Sequence, residues 1–221
     1  MIIDERMVTY INSLDTGHTP FLENLERTAK QTKVPIIRRE MQSFLKVFLK
    51  MKQPKRILEV GTAVGFSAAF MAQYGEPDAE ITTIENYEKR IPIARENFKK
   101  SGFADRITLI PGDAAEVLKT LDGPYDFIFM DAAKGQYIHF LPEVLRVLDK
   151  NGVLITDNVL QDGDVIESRF AVERRNRTIH KRMREYLFEL THNEGLLTSV
   201  VPLGDGIAIT MKSHEKREET T

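Results

Sequence analysis

Residues 56–67 read Arg56-Ile-Leu-Glu59-Val-Gly61-Thr-Ala-Val-Gly65-Phe-Ser67, a short apolar run that ends in an acid and breaks into a turn marked by glycines. An apolar run this short describes a strand buried on both faces, as in a parallel sheet covered by helices. The glycines permit backbone conformations closed to other residues, and the helix that follows offers unpaired N–H groups at its start. Working outward toward the C-terminus, the same rhythm predicts strands at 81–85 (ITTIE), 107–110 (ITLI), 125–131 (YDFIFMD) and 152–157 (GVLITD). Between the last two, Tyr137, Phe140, Leu141, Val144, Leu145 and Leu148 share one face of a helix predicted over 134–149, as a helix covering a sheet requires. The expected fold class is α/β, an open, doubly wound parallel sheet.

A long helix is predicted at about 172–194, and two further strands at 197–203 and 206–212, separated only by Gly204 and Asp205. So short a link forces an antiparallel hairpin, because a parallel crossover needs about a dozen residues. The sheet is therefore expected to end in a reversed edge. On the N-terminal side, helices are expected around 3–14 and 20–32, with a third after Pro35 that aligns Met41, Phe44, Leu45 and Phe48. The expected organisation is one domain: a helical extension over 1–52, the α/β unit over 53–213 and a disordered tail over 214–221.

Composition narrows the classes. The 221 residues are 42% hydrophobic, enough for one sizeable core. Cysteine is absent, which excludes disulfides and thiolate zinc sites and leaves oxygen or imidazole as metal ligands. No stretch approaches the roughly 20 apolar residues of a membrane span, and the opening MIIDERMVTY carries acids where a secretory leader carries bases. A soluble, cytoplasmic protein with no membrane partner is expected. The net charge of −2 is uninformative, but residues 169–184 hold seven Lys or Arg against one acid, Glu173.

In an open α/β sheet the ligand sits beyond the carboxyl ends of the strands. Gly61 and Gly65 mark the first such turn, and Glu85 ends the next strand, 24 residues after Gly61. A carboxylate there can accept both hydroxyls of a ribose, so the pair favours an adenosyl ligand. The turn departs from the GxGxxG that cradles a pyrophosphate, and Glu59 would repel one while pairing with the amino group of a methionine moiety. That argues for S-adenosylmethionine over a dinucleotide. Gly112-Asp113-Ala114 follows the third strand and can border the adenine. Each element alone also reads as an ordinary turn or strand end.

At the ends of the fourth and fifth strands stand Asp131-Ala-Ala-Lys134 and Asp157-Asn158. Two carboxylates and an amide oxygen form a hard, oxygen-only set suited to Mg²⁺. Capping and turn initiation are the structural alternatives for such residues.

Taken in order, EVGTAVGFS, TIE, GDA, FMDAAKGQY and ITDNV resemble the cation-dependent O-methyltransferases, the group that contains catechol and caffeoyl-coenzyme A O-methyltransferases. The match spans about Met41 to Lys212. It implies a Rossmann-like seven-stranded class I methyltransferase sheet over 53–213, metal ligands Asp131, Asp157 and Asn158, and Lys134 and Asp131 as catalytic residues, with Lys134 beside the reacting hydroxyl. It implies S-adenosylmethionine contacts at Met41, Glu59, Gly61, Ser67, Glu85, Ala114 and Asp131, and a homodimer with the N-terminal helices as packing elements. Where catechol O-methyltransferase places a glutamate on the second catechol hydroxyl, the similar stretch Asp205-Gly-Ile-Ala208 offers alanine.

The acceptor is read from charge. Arg174, Arg177, Lys181 and Arg184 share a helix face at spacings of 3, 4 and 3, and Arg38 and Arg39 add to it if they lie near the site mouth. Most charged helix faces are merely solvated, but those mix signs. A one-signed face suits phosphate. Within the family, VPI (34–36), KQPKRILEVGTAVGFSA and VPLGDGIAI look most like the bacterial tRNA 5-hydroxyuridine methyltransferases. The expected substrate is therefore a tRNA anticodon stem-loop, methylated at the wobble 5-hydroxyuridine. The competing expectation is a catechol or phenol O-methyltransferase.

Overall fold

Five parallel strands lie side by side in the computed structural model, which describes residues 4–213. They are β1 (Arg56–Val60), β2 (Glu80–Glu85), β3 (Ile107–Pro111), β4 (Tyr125–Met130) and β5 (Leu148–Thr156). With β6 (Leu196–Val201) and β7 (Ile207–Lys212) they form one seven-stranded sheet in the order β3-β2-β1-β4-β5-β7-β6. The expected disorder of 214–221 lies outside the described residues. The order reverses between β1 and β4, which opens a crevice at the carboxyl ends of those strands.

Helices cover both faces. On one side lie α2 (Pro20–Gln31), α3 (Arg39–Lys52), α4 (Phe66–Tyr74) and α5 (Ile91–Ser101), whose Leu22, Leu45, Phe70 and Phe98 pack on Ile57, Phe127 and Ile155. On the other lie α6 (Ala114–Thr120), α7 (Tyr137–Val147) and α8 (Arg177–His192), whose Leu118, Val144 and Met183 pack on Leu58, Ile128 and Leu154. Adjacent residues of β1 thus point into opposite cores, as a strand buried on both faces requires. The Tyr186 and Thr156 hydroxyls, 2.6 Å apart and buried, pin α8 to β5.

Three sequence expectations need correction. The reversed strand is β7, which lies between β5 and β6 and is antiparallel to both, so the outermost strand β6 runs in the same sense as the first five. Ile207 and Ala208 are fully buried in the inner strand, whereas Leu197 on the outer one is 68% exposed. Next, β5 starts at Leu148, not 152, because Leu148 already pairs with Tyr125 before the register slips ahead of Phe127 and Val153. Last, α8 starts at Arg177 after a 3-10 turn over Arg174–Asn176, because Val172 is buried as the anchor of the preceding loop.

The first helix, α1 (Glu5–Ser13), buries no residue, and Met7, Tyr10, Ile11 and Leu14 are exposed on and just after it. Among the described residues no helix is long and apolar enough to cross a membrane.

Candidate active site

The strand ladders continue one bond past each strand end. Gly61 N–H donates to Ile84 O, Asp131 N–H to Val60 O and Asp157 N–H to Met130 O, at 3.0, 3.1 and 3.0 Å. Three loops are thereby drawn over the crevice, where they wall a cavity of about 700 Å³. Gly61 has φ +93°, and a Cβ there would run into the Asp131 carbonyl. Gly65, at φ +84°, caps α4 in the left-handed conformation, with the Phe98 ring 2.5 Å from where its Cβ would stand.

Glu59 is fully buried and is not among the residues that line the cavity. Thr83 Oγ1 donates to its Oε2 at 2.5 Å, while Oε1 has no hydrogen-bond partner. Burial pushes its carboxyl above the ordinary range, against the pull of the nearby Ser67, Thr62 and Thr83 hydroxyls. Glu85, at the end of β2, receives Ala63 N–H on Oε2 at 2.7 Å and Tyr87 N–H on Oε1 at 2.8 Å. Asp113 caps α6 by accepting from Ala115 N–H at 2.8 Å, which presents Ala114 to the cavity. Gly61, Ser67, Glu85, Ala114 and Asp131 all line this space. Met41 does not: it is 1% exposed and packs in the core against α4.

Across the cavity stand Asp131, Asp157 and Asn158. Burial, then the charge of Glu59, raises the Asp131 carboxyl to about 6; burial, then the charge of Asp131, raises Asp157 to about 7. Asn158 takes the left-handed conformation (φ +60°) and donates to Asp157 Oδ1 from its backbone N–H at 2.7 Å and its amide at 3.3 Å. The buried Tyr137 hydroxyl, 3.2 Å from both the Ala132 and Asp157 carbonyls, ties the two loops together. Among the described residues no trio of His, Cys, Asp or Glu forms a metal cluster. The two carboxylates with one amide do fit a hard divalent cation, because both acids resist ionisation until positive charge reaches them.

Lys134 Nζ donates to Asp205 Oδ2 at 2.9 Å. Asp205, 2% exposed, also accepts the Asp162 N–H on Oδ1 and lines the cavity. Sequence reading missed it, and its signal was a carboxylate between two glycines in the β6–β7 turn. The hairpin therefore presents an acid to the site after all. Ala208, taken above as the comparable position, is buried within β7.

The basic residues divide. Arg38 lines the cavity and pairs with Asp162 at 3.3 Å. Its neighbour Arg39 turns the other way, bonding Glu26 at 2.9 Å and Glu23 at 3.1 Å, and does not reach the cavity mouth. Arg174 and Lys181 are exposed, Lys181 lying 3.5 Å from Glu185. Arg177 and Arg184 hold loop carbonyls, of Val172 at 3.2 Å and Val165 at 3.1 Å. Arg182 reaches Gly135 O at 3.0 Å, next to Lys134.

The sequence model of one family, described as O-methyltransferase, matches residues 12–213. A Mycobacterium tuberculosis catechol O-methyltransferase is 30% identical over 160 residues, covering 71% of this chain and 73% of its own. Caffeoyl-CoA O-methyltransferase 1 of Eucalyptus globulus is 29% identical over 181 residues, 75% of this chain and 70% of its own. Among solved structures, a Staphylococcus aureus protein provisionally described as a caffeoyl-CoA O-methyltransferase superposes with a TM-score of 0.87 at 32% identity, covering 95% of this chain and all of its own. The Podospora anserina methyltransferase PaMTH1, bound to S-adenosylhomocysteine, gives 0.86 at 28% identity over 95% of this chain and 94% of its own.

Proposed function

Because the chain belongs to the O-methyltransferase family, we propose that it moves a methyl group from S-adenosylmethionine to a hydroxyl oxygen, with Mg²⁺ as the second cofactor. The observation that carries this reading is a single cavity joining the Gly61 turn and Glu85 to the oxygen set Asp131, Asp157 and Asn158. Glu59 Oε1, buried and unpartnered, fits the ammonium of the methionine moiety, and Glu85 fits the ribose diol. When bound, S-adenosylmethionine supplies an electrophilic methyl group, and a divalent cation supplies the Lewis acidity that eases loss of the acceptor's proton. Lys134, hydrogen-bonded to Asp205 at the cavity wall, offers its positive charge to the developing oxyanion. Gly61 and Ser67 bring the start of α4 close to the cofactor without steric cost.

The acceptor we propose is 5-hydroxyuridine at the tRNA wobble position, converted to 5-methoxyuridine. Its 5-hydroxyl beside the 4-carbonyl is a two-oxygen chelate on a base that must leave its loop. The predominantly basic segment 169–184 supports this reading, since it approaches the site through Arg182, at Gly135 beside Lys134. A small catechol or phenol acceptor of the caffeoyl type is the second reading. The names of the relatives favour it, as does Asp205, which can accept a hydrogen bond from a second phenolic hydroxyl.

Labelled S-adenosylmethionine and Mg²⁺ incubated with hydroxyuridine-bearing tRNA, and separately with catechol or caffeate, separate the two. We expect label in tRNA, its loss in EDTA and in Asp131→Ala, and a far larger fall in kcat than in cofactor affinity for Lys134→Ala. Label entering phenols alone refutes the tRNA reading, and full activity in excess EDTA refutes the metal.

A further inference from the structure

The segment between the cavity and α8 carries two large apolar side chains almost fully in water, Ile166 at 80% and Phe170 at 85% exposed. Their exposure is not that of a loose chain. Val165 and Val172 are buried on either side, and three side chains of α8 hold the backbone between them. Arg184 donates to Val165 O at 3.1 Å, His180 Nε2 lies 3.1 Å from Glu167 O, and Arg177 donates to Val172 O at 3.2 Å and Phe170 O at 3.5 Å. The Ala171 N–H bonds Ser168 O at 3.0 Å. The fold thus holds a phenyl ring out into solvent on a braced turn.

What surrounds the ring selects its partner. Arg169 precedes it, Arg174 and Arg175 follow, and the one acid among them, Glu173, is paired with Arg175 at 2.7 Å. An apolar protein surface laid over Phe170 would bury the Arg169 and Arg174 guanidinium groups without counter-charge, which is costly. Single-stranded nucleic acid supplies both complements at once, flat bases for the ring and phosphates for the arginines. The segment also starts at the site: Asp162 lines the cavity and pairs with Arg38.

We propose that Phe170 is a stacking platform for an unpaired nucleobase of the RNA loop that carries the acceptor, with Arg169 and Arg174 on the flanking phosphates. This rests on the tRNA reading above. Stacking on an aromatic ring tolerates any base, so Phe170 contributes affinity and orientation, while the cavity chooses the nucleotide that reacts.

The chain contains no tryptophan, so Phe170→Trp places a lone indole at the platform, excited apart from the tyrosines. We expect an anticodon stem-loop bearing 5-hydroxyuridine to quench it, and a blunt duplex of the same stem to leave it unchanged. Phe170→Ala is expected to raise the KM for tRNA about tenfold, with S-adenosylmethionine affinity and thermal midpoint unaltered, and Phe170→Leu to recover little, since it restores apolar area without a π-face. Equal quenching by the duplex, or by vesicles of anionic phospholipid, overturns the proposal, as does an unchanged KM for Phe170→Ala in a protein that methylates tRNA. If the unaltered protein methylates catechol but no tRNA, the underlying reading falls and the platform with it.

Discussion

Asp131 and Asp157 close the ends of adjacent strands at one cavity, and each is raised first by desolvation and then by a neighbouring acid, Glu59 for Asp131 and Asp131 for Asp157. Without a cation they hold protons to about pH 6 and about pH 7, whereas unfolded aspartates release theirs near pH 4. The native state then binds more protons than the unfolded chain between those limits. Its stability from these groups is fullest below about pH 4, falls as pH climbs to about 7, and is level beyond. Asp157→Asn keeps the acceptor for the Asn158 N–H and removes one charge. In EDTA at pH 8 this variant should melt a few degrees above the unaltered protein, a difference of about 1–2 kcal/mol, and the gap should narrow at pH 5 and close below about pH 4. Mg²⁺ should raise the midpoint of the unaltered protein at pH 8 and leave the variant nearly unmoved; a gap independent of pH would show that the two acids do not share the site. These residues were legible because strand ends of a parallel sheet converge. Asp205 was not, since an acid between glycines reads as a turn and its partner Lys134 is 71 residues away in sequence. Arg39 was misread for a related reason: adjacent positions at the start of a helix point about 100° apart, so its neighbour's place in the cavity says nothing of its own.

At the scale of elements, the β1–α4 turn couples the two halves of the site. On the reading proposed above Gly61 belongs to the cofactor side and Asp131 to the metal side, and the space that the missing Cβ of Gly61 leaves is filled by the Asp131 backbone. Gly61→Ala must therefore push the two loops apart and also hold alanine at positive φ. We expect a loss of about 2–4 kcal/mol in chemical unfolding, and at least tenfold weaker S-adenosylmethionine binding by calorimetry, with or without Mg²⁺. Cofactor affinity unchanged in a folded variant would mean that the turn does not contact it. Such turns and their strands are legible because apolar runs and glycines report local geometry. The place of β7 is a different kind of fact. The expected two-residue link is five residues long, 202–206, and still makes β6 and β7 antiparallel neighbours, but either could pair with β5, and LLTSVV is no less apolar than IAITMK, so composition does not choose between them. The start of α8 was similarly hidden, because Val172 fits a helix by spacing and is used instead to anchor the loop.

For the whole molecule, charge is arranged rather than abundant. A net charge of −2 conceals a stretch of sixteen residues with seven bases, set next to a cavity lined by acids. The acids suit a cation and a sulfonium, and the bases suit a polyanion whose reactive base must enter between them. Sequence showed the sign of this surface but not its division of labour. Arg177 and Arg184 are braces for the loop, so their loss would confound folding with binding; Arg174 and Lys181 hold no loop carbonyl and are the cleaner probes. If they contact phosphate, each released counterion contributes about 0.7–0.9 to the slope of log KM against log salt. Arg174→Gln combined with Lys181→Gln should therefore reduce that slope by about 1.5 for tRNA methylation, while the rate with catechol, in so far as it is used, stays insensitive to both salt and substitution. A slope identical to that of the unaltered protein would place the phosphates elsewhere and leave α8 as a solvated surface. Because kcat is set inside the cavity, the double variant at saturating tRNA should turn over at an undiminished rate, which separates docking from chemistry.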